Sequence, residues 1–82
     1  MLTATQITYI TPQNLERGAQ GQDVKFLQKL LINKGYSIGF SGIDGIFGQD
    51  TYTSVRKFQS NNGLKDDGVV GSLTWKALGI SA

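Results

Sequence analysis

Two carboxylates are spaced as if they could do chemistry. Asp44 opens the phrase Asp44-Gly45-Ile46-Phe47-Gly48-Gln49-Asp50-Thr51-Tyr52, and Asp67 opens its return 23 residues later as Asp67-Gly68-Val69-Val70-Gly71-Ser72-Leu73-Thr74-Trp75. Both copies read D-G-[IV]-[FV]-G-x-x-T-[YW]. Two acids held about 5 to 9 Å apart across a sugar-sized cleft would equip a glycoside hydrolase. Each acid also has a structural use, because the carboxylate of an Asp-Gly turn accepts N–H groups of its own turn. We prefer the second use: both acids sit in turn positions that explain them, and the only glutamate, Glu16, lies beside the N-terminal extension.

The composition removes most other chemistry. The chain has neither histidine nor cysteine, which excludes the commonest general base, the Ser-His pair, thiolate catalysis and the usual zinc ligands. No metal and no cofactor is expected. Eight basic residues are dispersed among six acidic ones for a net charge of +2, so a dedicated nucleic-acid surface is not expected either. No stretch approaches the roughly 20 apolar residues of a membrane span, and the N-terminus lacks the pattern of an export signal. Membrane insertion is therefore not expected, and work outside the cytoplasm would depend on another part of the gene product or on lysis. At 82 residues the chain has room for one small core and no deep cleft.

The elements that must position these residues follow from periodicity. Asp23 to Asn33 carries Val24, Phe26, Leu27, Leu30, Leu31 and Ile32 over a broad helical arc, and Asn33-Lys34-Gly35 ends it. A second helix is expected from Gln49 to about Asn61, burying Tyr52, Val55 and Phe58, with Asn62-Gly63 as its stop. A third is expected from about Ser72 to Leu78, with Ser72 as N-cap and Leu73, Trp75, Leu78 and Ala77 facing inward. Gly18-Ala19-Gln20-Gly21-Gln22-Asp23 shares the G-x-x-G-Q-D spacing of Gly45 to Asp50, so the loop-helix unit is used three times. The expected fold class is all-α: a small three-helix bundle built on a loop-helix repeat, with weak extended pairings around the Asp-Gly loops. Residues 1–15, with the β-prone Ile7-Thr8-Tyr9-Ile10 and the only proline, Pro12, read as an extension or linker, and residues 16–82 as the domain.

The ordered series Gly21, Val24, Leu27-Gln28, Leu31, Gly35-Tyr36, Asp44-Gly45-x-Phe47-Gly48-x-x-Thr51, Val55, Phe58-Gln59, Gly63-Leu64, Asp67-Gly68-x-Val70-Gly71-x-x-Thr74-Trp75 and Leu78 resembles the peptidoglycan-binding domain of type 1. The resemblance covers roughly Gly18 to Leu78, and Ser54 departs from the alanine the family usually carries there. It implies a three-helix module attached to bacterial or phage cell-wall hydrolases such as endolysins and autolysins. The partner it implies is peptidoglycan, through its glycan strand or its stem peptide, with a catalytic hydrolase domain on the same or an associated chain. It further implies a non-catalytic targeting role in the cell wall, extracellular space or periplasm.

The candidates for ligand contact are Phe40, Asp44, Phe47, Arg56, Gln59, Asp67 and Trp75. A sugar-peptide polymer needs an aromatic face and convergent polar groups. Phe40 stands in the glycine-rich loop Tyr36 to Ile43, free of any periodic stripe, so stacking on a sugar ring and packing against the protein are equally open. Arg56, with Lys57, falls on the polar side of the second helix, where a solvated face is the first reading and attraction of stem-peptide carboxylates or teichoic phosphates the alternative. Gln28 and Gln59 read first as amides that satisfy loop backbone groups in the core. Tyr52 and Trp75, equivalent in the repeat, read first as core, with the Trp75 indole N–H in need of an acceptor. Besides binding and catalysis, a protein-interaction or structural module on the same fold remains an open class.

Overall fold

The computed structural model describes residues 12–80, and the run from Ile7 to Ile10 lies outside them. Among the described residues there are three helices and no strand: α1 (Gln22–Asn33), α2 (Gln49–Asn61) and α3 (Ser72–Ala77). On α1 the buried positions are Val24, Leu27, Gln28 and Leu31, spaced i, i+3, i+4, i+7. On α2 they are Thr51, Ser54, Val55, Phe58 and Gln59, the same stripe one residue longer. These two helices pack on each other. With Ile38, Phe47, Val70, Trp75 and Leu78 they enclose one core.

Each helix is entered and left in the same way. Gly21, Gly48 and Gly71 hold the three N-cap positions without any side-chain cap bond. Asp23 and Asp50 bring negative charge to the first turns of α1 and α2, where exposed N–H groups favour it. Ser72, expected as the N-cap of α3, is instead its first helical residue, because Gly71 occupies the cap exactly one repeat after Gly48. At the other ends, Tyr36 N–H reaches Leu31 O, Leu64 N–H reaches Gln59 O and Ile80 N–H reaches Trp75 O, each at 2.9 Å, across Gly35, Gly63 and Gly79. Three stops of one design confirm three units.

The extended fragments do pair, and their partner is the segment before α1. Leu15 and Val70 exchange backbone bonds of 3.0 and 2.8 Å, and an antiparallel bridge joins Gln20 to Ile46. Leu15, assigned above to the extension, is buried in the core, and Gln13 O accepts the Trp75 indole N–H at 3.1 Å. Residues 13–15 thus pack on the domain.

Several residues of the apolar arcs and stripes are open or half-open to solvent. Leu73 is 69% exposed, because it stands two residues from Trp75 and so on the opposite side of a short helix. Phe26 and Ile32 are exposed at the margins of the α1 arc, although Phe26 still stacks on Trp75 at 5.9 Å between ring centres. Tyr52 is half-buried, since Thr51 takes the buried position beside it.

Candidate binding site

The repeated phrase is organised by two buried glutamines. Gln28 Nε2 donates to Asp44 Oδ1 (3.0 Å), Ile46 O (3.1 Å) and Thr51 Oγ1 (3.0 Å), while its Oε1 accepts the Gly45 N–H at 2.9 Å. Gln59 repeats the arrangement with Asp67 (3.3 Å), Val69 O (2.9 Å), Thr74 (3.1 Å) and the Gly68 N–H (2.9 Å). A buried amide is tolerated because it is satisfied in this way. Each Asp closes its own turn: Asp44 Oδ1 accepts Ile46 N–H at 3.0 Å, and Asp67 Oδ1 accepts Val69 N–H at 2.9 Å. The Ile46 N–H, followed by the Gln28 amide, holds the Asp44 carboxyl below its ordinary pKa, so it stays an acceptor. These acids are turn residues bound into a frame. Thr51 and Thr74, at the same position of the two copies, supply the hydroxyls that complete it.

Tyr52 and Lys25, at equivalent positions of the second and first units, each cover the glycine of the following Asp-Gly loop. The Tyr52 ring lies directly on Gly68, where any Cβ would collide with it, and the aliphatic stem of Lys25 lies similarly at 3.1 Å from a Cβ built on Gly45. Gly68 also has a φ of +76°, which side chains rarely adopt. Tyr52 therefore becomes a wall shared by two surface grooves. One, of 290 Å³, is lined by Gln49, Thr53, Arg56, Lys57, Ser60 and Asp66. The other, of 350 Å³, is lined by Glu16, Arg17, Asp67, Gly68 and Val69. The Arg17 guanidinium carbon stands 4.1 Å from the centre of the Tyr52 ring and that of Arg56 stands 5.8 Å away. Arg17 Nη1 donates to Gln49 Oε1 at 3.0 Å; Arg56 Nε donates to Asp66 O at 3.0 Å and its Nη2 to Asp66 Oδ2 at 3.3 Å.

The candidates separate by burial. Phe47, Gln59 and Trp75 are each 1% exposed and are withdrawn as contact residues, since core packing and the amide frame claim their surfaces. Asp44 and Asp67 both reach the surface with one oxygen committed to the turn, but only Asp67 lines a Tyr52 groove. Arg56 is on the Tyr52 wall. Phe40 is fully exposed but lines neither Tyr52 groove. Arg17 was missed, although the repeat marks it: Arg17-Gly18 stands where Asp44-Gly45 and Asp67-Gly68 stand in the other units. No helix precedes that first loop among the described residues to offer a glutamine, so its side chain turns to Tyr52 instead.

Comparison with known proteins identifies the frame. The family model described as "Putative peptidoglycan binding domain" matches residues 20–78. The chain belongs to this family. It is 45% identical over 73 residues to the spore cortex-lytic enzyme of Bacillus subtilis (strain 168), covering 88% of this chain and 23% of that enzyme. Among solved structures, the SleB N-terminal domain matches with a TM-score of 0.76 and 41% identity over 83% of this chain and 90% of that one. The Burkholderia AP3 phage endolysin matches with a TM-score of 0.75 and 39% identity over 80% of this chain and 24% of that one. The chain thus spans about a quarter of the full-length relatives it resembles.

Proposed function

We propose that this chain is a non-catalytic module that binds bacterial peptidoglycan and holds a cell-wall hydrolase domain, on the same or an associated chain, against its substrate. The observation that carries this reading is the family match over residues 20–78, in a chain where both acids of the repeated phrase are engaged in their own turns. Tethering raises the local substrate concentration without adding a reactive group. The enzymes and the endolysin that share this domain support a place of action at the cell wall. Among the described residues, no helix is long and apolar enough to cross a membrane. The module is taken to begin near Gln13, where backbone contacts with Trp75 start, rather than at residue 16.

Co-sedimentation with purified, protein-free sacculi tests the reading. Saturable pelleting that survives physiological salt is expected. A chain that stays in the supernatant, yet binds a protein partner saturably, would replace this reading with an interaction module.

A further inference from the structure

Resting on the peptidoglycan reading, we infer that the Tyr52 wall is a subsite for the free carboxylates of the stem peptide, held by Arg17 and Arg56. Two guanidinium groups lean on one tyrosine ring, at 4.1 and 5.8 Å, and the ring itself is seated on Gly68. The fold fixes where these charges stand while leaving donors unused. Among the described residues, Arg17 commits only Nη1, and Arg56 commits Nε and Nη2. Arg17 Nη2 and Arg56 Nη1 remain to meet an acceptor, and the planar fork of arginine matches a carboxylate better than any neutral group.

The charge around the 290 Å³ groove supports an anionic guest. Arg56 and Lys57 line it, and Asp66 is the one acid in the lining, already paired with Arg56 at 3.3 Å; Arg17 stands on the Tyr52 ring that walls it and lines the neighbouring groove, where Glu16 and Asp67 lie. Gln49, Thr53 and Ser60 add neutral hydrogen-bonding groups along the same walls. In intact peptidoglycan the muramic lactyl group is amide-linked, so the sugar backbone is uncharged and the carboxylates belong to the peptide. A positively charged groove with a half-buried aromatic wall therefore selects the peptide over the glycan.

The test titrates the 82-residue chain with a soluble disaccharide-peptide carrying free carboxylates, with the same compound after conversion to carboxamides, and with a neutral N-acetylglucosamine oligomer. The expected result is saturable binding of the first, weakened about tenfold or more in the second and absent in the third. The double variant Arg17→Gln/Arg56→Gln is expected to lose about as much affinity, with its melting curve checked alongside. Lys34→Gln, which removes a charge at the end of α1, is expected to bind as the parent does. Equal binding of carboxylate and carboxamide, or binding of the sugar oligomer as tight as that of the disaccharide-peptide, overturns the inference while leaving peptidoglycan binding in place. Failure of the parent chain to bind both the compound and intact sacculi overturns the underlying reading and the inference together. The ligand-modification arm needs no variant, so it stands even if the double substitution impairs folding.

Discussion

Gln59 shows how one side chain fixes a loop. Its amide meets Asp67, Val69 O, Thr74 and the Gly68 N–H at once, all at a site 1% exposed. Truncation strands several buried groups, so Gln59→Ala is expected to cost about 3 kcal/mol or more in urea unfolding. Ser54 is the converse case. Its buried Oγ has no hydrogen-bond partner among the described residues. Ser54→Ala should therefore raise stability by about 1 kcal/mol, read as an increase in denaturation midpoint at unchanged slope. Asp44 sets a pH dependence: its folded pKa is depressed, so the unfolded chain binds the proton first as acid is added. The stability it contributes is complete above the unfolded value near 4 and is lost as pH falls through the lower folded value. Unfolding midpoints measured from about pH 6 to about pH 2.5 should show this decline, and Asp44→Asn should flatten it. The Asp turns and the buried glutamines were legible in the sequence, because an Asp-Gly pair carries its own local bonds. The repeat aligns Arg17 with Asp44 and Asp67 but does not show where its side chain goes, because that depends on Tyr52, a contact across 35 positions.

At the scale of elements, the unit is a loop, a glycine cap, a helix and a glycine stop, and its repetition predicted all three helices to within a residue or two. What periodicity could not show was which margin of each stripe a short third helix would cover. Phe26, Ile32 and Leu73 are apolar by pattern and exposed by geometry, since six residues of α3 cannot shield both sides. Each Asp-Gly loop is joined to the preceding unit by a covering side chain, and this link makes a graded prediction. Gly68→Ala must both strain a positive φ and displace the Tyr52 ring, so it should cost about 2 to 4 kcal/mol. Gly45→Ala carries the same φ strain, but its Cβ would meet only the flexible stem of Lys25 and, at 3.3 Å, the Gly21 carbonyl, against a direct collision at Gly68, so its cost should be smaller. Thermal melts of the two variants decide this. Equal losses would mean that Tyr52 does not rest on Gly68 as described.

At the scale of the whole molecule, three small units close on themselves through the N-terminal segment. Leu15 pairs with Val70 and Gln13 O takes the Trp75 indole N–H, so the first described residues lock the last helix. The closed frame absorbs the residues that first resembled a duplicated active site and leaves the Tyr52 wall outward. The function proposed for this frame is attachment to peptidoglycan, with the chemistry left to a separate hydrolase domain. The most direct measurement follows the turbidity of a sacculus suspension over hours with saturating chain, then assays the pellet for protein and the supernatant for soluble fragments. The account predicts constant turbidity, chain in the pellet and no released sugar-peptide fragments. Clearing of the suspension with fragments in the supernatant would contradict it.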